Sequence, residues 1–184
     1  SGSTSLARLS ILGSAVAKIE TTDATNATGG IDIIEGNAKG DVILGGAAGD
    51  TIYGDRKLTN GVSIDYDGDD VILGDNGLLD FAFGNTNLTT LDLIKSSPGE
   101  VGDIDTISGN KGADMVMGGT AGDTIYGDNV GMTAGSADGE DIILGDNGQI
   151  LLSGPAFIDE TPVARLSILG SAVAKIETTD ETND

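Results

Sequence analysis

The feature that most constrains this chain is an aspartate that recurs at nine-residue intervals, each time just before a short apolar segment. Every copy has the form Asp-x-(Ile/Val)-x-Gly, and the aspartates are Asp32, Asp41, Asp50, Asp70, Asp105, Asp114, Asp123 and Asp141. Two of them follow insertions, because Asp70 comes 20 residues after Asp50 and Asp141 comes 18 after Asp123. A period of nine fits neither one continuous helix nor one long strand, so the chain must turn at regular intervals.

Each nine-residue segment joins a three-residue β-branched run to a glycine-rich turn. Wound repeatedly, such segments give an all-β solenoid in which the middle apolar residue of each strand points inward. Those residues are Ile34, Ile43, Ile52, Ile107, Val116 and Ile125. The alternative is an antiparallel hairpin protein with turns at Asn76-Gly77 and Asn147-Gly148. Hairpins do not require an aspartate before every strand, so the pattern favours the solenoid.

Two longer repeats enclose the short one. Residues 7–23 recur unchanged at 164–180, an offset of 157, and residues 29–55 match 102–128 at an offset of 73. A tandem array produces such near-identity, so we interpret the chain as one repeat unit followed by the start of the next copy. Because the chain opens on Ser-Gly-Ser and lacks an initiator Met, we expect it to be a piece of a longer protein.

The charge excludes several classes of partner. There are 30 Asp and Glu against nine Lys and Arg, a formal net charge of −21, so we expect binding to neither nucleic acid nor an anionic membrane surface. With no His and no Cys, the chain lacks the commonest general base, the thiol nucleophile and the usual zinc ligands. We therefore expect no enzyme. No apolar run is long enough for insertion into a membrane.

The aspartates indicate calcium once the winding is considered. If two nonapeptides make one coil, residues 18 apart lie above each other, so Asp32 stacks near Asp50 and Asp105 near Asp123. Neighbouring carboxylates repel each other unless a cation lies between them. Calcium suits such a site because it accepts six to eight oxygen ligands from carboxylates and backbone carbonyls, whereas magnesium requires stricter geometry. We expect several calcium ions as the cofactor.

Four segments carry a family resemblance: GNAKGDVIL (36–44), GGAAGDTIY (45–53), GNKGADMVM (109–117) and GGTAGDTIY (118–126). They resemble the repeats-in-toxin, or hemolysin-type, nonapeptide G-G-x-G-x-D-x-U-x. The resemblance implies a right-handed parallel β-roll, or β-helix solenoid, with calcium in its turns. It implies the eight aspartates above as carboxylate ligands. It implies carbonyl ligands near Gly36, Gly45, Gly54, Gly109, Gly118 and Gly127.

Several turns depart from the family pattern. The fourth-position glycine is replaced by Lys39, Ala48 or Ala121 in three of the turns. At the second position stand, in other turns, Asp55, Asp75, Asp128 and Asp146. These four aspartates are either additional calcium ligands or solvated turn residues.

The repeats divide the chain into five segments. We expect end strands at 1–28, a first calcium-binding block at 29–77, a plain β-helix coil at 78–101, a second calcium-binding block at 102–148, and closing strands with the start of the next copy at 149–184. The segments without the nonapeptide show alternating apolar residues instead. We expect them to form longer strands that extend the same sheets.

These features predict a structural protein. We expect one calcium-binding repeat unit of a secreted, extracellular or cell-surface protein of the adhesin, matrix or fibre type, with neighbouring copies of the same repeat as its partners. The alternative is a calcium-binding accessory module of a secreted protease or polysaccharide epimerase. The loops at 56–66 and 129–137 are the only non-repetitive surface large enough for another ligand such as a glycan.

Overall fold

The computed structural model describes residues 10–11, 14–55, 68–84, 86, 88, 91–97, 99, 101–128, 139–152, 167–168 and 171–179. Within these residues the fold is all-β, as predicted, and no helix is present. The loops at 56–66 and 129–137 lie outside the described residues. The strands are β1 (Ser10–Ile11), β2 (Ser14–Ala15), β3 (Lys18–Glu20), β4 (Ile33–Glu35), β5 (Val42–Leu44), β6 (Thr51–Tyr53), β7 (Val71–Leu73), β8 (Gly77–Asp80), β9 (Leu93–Ser96), β10 (Thr106–Asn110), β11 (Met115–Gly119), β12 (Thr124–Asp128), β13 (Ile142–Asp146), β14 (Gly148–Leu152), β15 (Ser167–Ile168) and β16 (Ser171–Thr178).

The strands that follow the repeated aspartates alternate between two parallel sheets. The first parallel sheet contains β4, β6, β10 and β12, and the second parallel sheet contains β5, β7, β11 and β13, each in that order. Ile34 lies opposite Ile52, and Ile107 opposite Ile125, so residues 18 apart are stacked as the winding predicts. Because these strands pair in parallel, they cannot be successive arms of hairpins.

The residues predicted to point inward form the core between the two parallel sheets. Ile43, Ile52, Ile72, Ile107 and Val116 are buried there, with Ile34 and Ile125 packed at the two ends. The first parallel sheet exposes its other face, which explains why its strands alternate, as in Thr-Ile-Tyr. The second parallel sheet is covered on both faces, which explains its continuous apolar strands, such as Val-Ile-Leu and Met-Val-Met.

A third sheet covers the second parallel sheet. This antiparallel sheet has the order β15, β16, β14, β9, β8, β3, and it packs on Val71, Leu73, Met115 and Met117. The expectation that the segments without the nonapeptide extend the parallel sheets is therefore wrong. In particular, β8 and β9 of segment 78–101 pair antiparallel with each other and form no plain coil of the stack. Their alternating pattern indicates only a sheet with one buried face. An antiparallel sheet has this property as well, so the pattern could not distinguish it from the parallel sheets.

Asn76-Gly77 and Asn147-Gly148 lie where the chain passes from the second parallel sheet to the antiparallel sheet, and Gly77 and Gly148 are the first residues of β8 and β14. They close no hairpin, because β7 does not pair with β8 and β13 does not pair with β14. Among the described residues no helix is long and apolar enough to cross a membrane.

Candidate metal centre

The eight repeated aspartates form two ladders, one just before the strands of each parallel sheet. The first aspartate ladder contains Asp32, Asp50, Asp105 and Asp123, and the second aspartate ladder contains Asp41, Asp70, Asp114 and Asp141. In both ladders the backbone N–H of each of the first three aspartates donates to Oδ1 of the following aspartate in the ladder. These N···O distances lie between 2.6 and 3.0 Å. Stacking of the coils therefore brings together all eight predicted carboxylates.

The second carboxylate oxygen of most ladder residues has no donor. Oδ2 is buried without a hydrogen-bond partner in six of them: Asp41, Asp50, Asp70, Asp105, Asp114 and Asp123. The two ion pairs of the antiparallel sheet, Lys18–Glu20 and Lys175–Glu177, do not involve these carboxylates. An ionised carboxylate can only accept hydrogen bonds, so each of these atoms lacks compensation for its burial.

Each of these oxygens lies against the glycine that begins its own turn, and a carbonyl oxygen of the next coil lies against the same glycine. We call such a glycine, with its two neighbouring oxygens, a cradle. A Cβ added to Gly36 would lie 2.6 Å from Asp41 Oδ2 and would also overlap the Gly54 carbonyl oxygen. The same arrangement recurs at Gly45, Gly54, Gly74, Gly109 and Gly118, where the next-coil carbonyls belong to Gly74, Gly109, Gly118, Gly127 and Gly145. Both neighbouring oxygens are acceptors, so neither can donate a hydrogen bond to the other, and a proton or a cation beside them would compensate the buried carboxylate oxygen.

Burial raises the pKa of these carboxyl groups. The pKa rises from 3.8 to about 8 for Asp70 and Asp105 and to about 9 for Asp114. The cause is desolvation, which the hydrogen bond from the neighbouring aspartate N–H offsets only in part. The pKa of Asp123 rises to about 6 for the same reason, and that of Asp50 also rises. At neutral pH and without a cation, Asp70, Asp105 and Asp114 therefore favour the protonated form.

The four uninterrupted turns share one backbone conformation. Their second and fourth residues all have positive φ, with values from 78° to 124°: Asn37, Lys39, Gly46, Ala48, Asn110, Gly112, Gly119 and Ala121. Positive φ suits glycine and strains most other residues. The positions where the sequence departs from the nonapeptide are therefore the positions where its backbone is strained, and the turn geometry persists despite the departures.

The second-position aspartates divide by their place in the stack. Asp55 and Asp75 are buried in the interior, and their charges contribute to the raised pKa of Asp70 and Asp105, respectively. Asp75 accepts hydrogen bonds from the N–H groups of Thr120 (2.6 Å) and Asp103 (3.2 Å). Their counterparts Asp128 and Asp146 are exposed. One of the two interpretations made these aspartates solvated turn residues. The burial of Asp55 and Asp75 excludes that interpretation for these two.

The sequence prediction missed two carbonyl positions. Gly74 and Gly145 place their carbonyl oxygens at the cradles of Gly45 and Gly118, whereas among the described residues no cradle has the predicted carbonyl oxygen of Gly36 or Gly45 as a neighbour. Both missed glycines end the Asp-x-(Ile/Val)-x-Gly template, so the signal was present in the sequence, although the long segment between Gly74 and Asp105 obscures it. No group of three or more His, Cys, Asp or Glu side chains converges on one point within the described residues.

Searches for a similar protein give no support for a family. No protein-family model, no curated protein and no solved structure matches the chain.

Proposed function

We propose that this chain is a calcium-binding structural repeat unit of a secreted or cell-surface protein, and that it folds when calcium binds. The observation that carries the proposal is the set of six buried Oδ2 atoms without donors, each beside a glycine carbonyl oxygen. A cation would convert this repulsion between acceptors into attraction. Since the carboxylates repeat with the scaffold and are not assembled at one place, the proposed role is structural and not catalytic.

The donor set favours calcium over other cations. Each cradle offers carboxylate and carbonyl oxygen only, and hard oxygen donors select calcium or magnesium over zinc or copper. Calcium tolerates flexible geometry with many carbonyl ligands, whereas magnesium retains much of its water. The residues that would hold the ions are the ladder aspartates and the glycines of the cradles, with Asp55 and Asp75 close to them. Calcium would supply the positive charge that the ladders lack.

We also propose that the two parallel sheets are wound as a right-handed β-roll. The alternation of successive strands between the sheets supports the winding, and the strong right-handed preference of parallel crossovers supports its hand. Binding energy would then become folding energy, because the ligand set exists only when the coils are stacked. Such a chain would remain expanded where calcium is scarce, as in the cytosol, and would fold outside the cell.

The test compares the far-UV circular dichroism of the chain in EGTA, in millimolar calcium and in millimolar magnesium. We expect coil in EGTA, β-structure in calcium and a much weaker response to magnesium. The variant Asp114→Asn removes one buried ladder carboxylate, and we expect it to raise the calcium midpoint by about tenfold or more. The matched control Asp103→Asn changes an exposed aspartate outside the ladders and should leave the midpoint unchanged. Identical β-rich spectra in EGTA and calcium would contradict the proposal.

A further inference from the structure

The far end of the strand stack, at β12 and β13, exposes residues whose repeat counterparts are buried in its middle. Ile143 of β13 is 44% exposed, whereas its counterpart Ile72 of β7 is 0% exposed. The exposed Asp128 and Asp146 correspond to the buried Asp55 and Asp75. Each residue at the end has the chemistry of an interior position and lacks only the next coil.

The interior of the chain shows how that next coil would fit. Between the two halves of the repeat, Ile52 pairs with Ile107 in the first parallel sheet, and Ile72 pairs with Val116 in the second. The counterparts of Ile52 and Ile72 at the far end are Ile125 and Ile143. The counterparts of Ile107 and Val116 at the near end are Ile34 and Ile43. Copies stacked end to end would therefore repeat a junction that already exists inside each chain.

The antiparallel sheet has complementary ends. β3 and the corresponding part of β16 have the same sequence, Lys-Ile-Glu, but they pair through opposite edges. The N–H of Thr21 donates to the Gly77 carbonyl (3.1 Å). Because the backbone N–H and C=O groups of successive residues point to opposite edges of a strand, those of Ile19 face β8 and those of Glu20 face away from it. The N–H of Thr179 donates to the Asn147 carbonyl (2.9 Å), so the backbone of Glu177, the counterpart of Glu20, faces β14. The edge that β3 leaves open is therefore the edge that β16 uses.

β9 shows both edges occupied at once. Residues 91–98 (LDLIKSSP), which contain β9, correspond to residues 16–23 (VAKIETTD), which contain β3, so Ile94 corresponds to Ile19. Ile94 lies opposite Leu79 of β8 on one side and Ile150 of β14 on the other. Ile19 lies opposite Leu79, and Ile176 lies opposite Ile150. A strand that joined the β3 pairing to the β16 pairing would reproduce the surroundings of β9.

We infer that the chain carries the two halves of one head-to-tail interface for a second copy of itself. The receiving end consists of β12, β13 and β14, and the inserted end consists of β3, β4 and β5 of the second copy. In this interface β3 of the second copy takes the place of β16 on β14. The interface is heterologous, so once β16 leaves β14, repeated association joins copies into an open filament or, if the rotation between copies closes, into a ring. The inference rests on the proposed structural role and deepens it by naming the partner and the register.

The first experiment is designed to displace β16 from its pairing with β14. Glu177→Pro removes the N–H that faces β14 and the hydrogen bond from Gln149 Nε2 to Glu177 Oε2 (2.6 Å). In calcium we expect light scattering after gel filtration to show a mass at least twice that of the monomer, rising with concentration. Adding Glu20→Pro, at the open edge of β3, should return the mass to that of the monomer without disturbing the β3–β8 pairing. Adding Ile143→Asp to Glu177→Pro should have the same effect.

Two outcomes would overturn the inference. One is a Glu177→Pro chain that folds in calcium yet stays monomeric. The other is a set of oligomers that survives both second substitutions. Circular dichroism of every variant with and without calcium separates this question from the proposed function. A fold that ignores calcium contradicts the proposed function alone, and a calcium-folded chain that never associates contradicts the interface alone.

A trapping experiment covers the case in which Glu177→Pro does not fold. The chain has no cysteine, so a copy with Glu20→Cys can be mixed with a copy carrying Gln149→Cys, and the two folded together by transfer from EGTA into calcium so that β3 and β16 compete for β14. In the inferred register these two residues form a hydrogen-bonded antiparallel pair, whose Cα separation of about 5.5 Å suits a disulfide. Lys18→Cys is the control, since it lies two residues out of register. We expect oxidised dimers to be several-fold more abundant with the Glu20 variant, and equal yields would overturn the inference.

Discussion

Removal of calcium at neutral pH tests the second aspartate ladder most directly. Without a cation, burial raises the pKa of Asp70 to about 8 and that of Asp114 to about 9, from 3.8. At pH 7 the folded chain keeps these two protons, whereas the unfolded chain releases them. Each proton then costs the folded state about 4 kcal/mol. Two such costs are comparable with the whole free energy of unfolding of a typical domain, about 5–15 kcal/mol. We therefore expect the calcium-free chain to be unfolded at pH 7.

The sign of the pH dependence follows from the direction of these shifts. A carboxyl whose pKa is raised on folding destabilises the fold increasingly as the pH rises from its pKa in the unfolded chain toward its pKa in the folded chain. Lowering the pH from 7 to 5 should reduce this cost to the folded state by about 3 kcal/mol per group. At pH 5 the chain is still above its isoelectric point near 4.1. Circular dichroism in EGTA should therefore show β-structure appearing between pH 7 and 5 without calcium. If the chelated chain is equally folded at both values, or less folded at pH 5, the reasoning fails.

Three further predictions use matched positions in the repeat. Gly109→Ala places a methyl group in a cradle, against a ladder carboxylate and a carbonyl oxygen, whereas the methyl group of Gly145→Ala meets no atom within 4 Å. Calorimetric titration should therefore show fewer bound calcium ions in the first variant and an unchanged number in the second. Urea titration in calcium should show that Ile72→Ala, at a fully buried site, costs about 2–5 kcal/mol, and that Ile143→Ala costs about 1 kcal/mol or less. Ala48→Gly relieves a φ of 83° and should raise the free energy of unfolding by about 0.5–1 kcal/mol in the same assay.

The parallel sheets were predictable because local sequence determines most of their geometry. A β-branched triplet followed by a glycine-rich turn allows few paths. Within each uninterrupted block the aspartate spacing also predicts stacking at 18 residues. The antiparallel sheet was not predictable in the same way. Its strands, such as β9 and β14, pair across 56 residues, since Ile94 lies opposite Ile150, and nothing local in either strand specifies its neighbour. Alternation indicated strands with one buried face but left their sheet undetermined.

The candidate metal centre was predictable in its residue types but not in all of its atoms. Spacing alone identified the eight ladder aspartates. It could not show that one oxygen of each interior carboxylate accepts a backbone N–H while the other stays without a donor, because that division depends on the exact offset of adjacent coils. The roles of Asp55 and Asp75 were also undetermined, since burial separates them from Asp128 and Asp146 although all four occupy the same turn position.

The insertions show which part of the nine-residue pattern the fold requires. Gly54 and Asp70 begin and end a turn lengthened by 11 residues, yet Asp70 Oδ2 still lies against Gly54, as in the six-residue turns. The cradle therefore depends on the first glycine and the last aspartate, and not on the length between them. Deleting residues 56–66 would leave Gly-Asp-Asp-Gly-Asp-Asp before β7, a six-residue turn with glycine at the first and fourth positions. Loop closure from 17 to six residues should then add about 1 kcal/mol to the free energy of unfolding in calcium. Loss of calcium-dependent folding in this deletion variant would show that the inserted residues, and not the cradle, hold the turn.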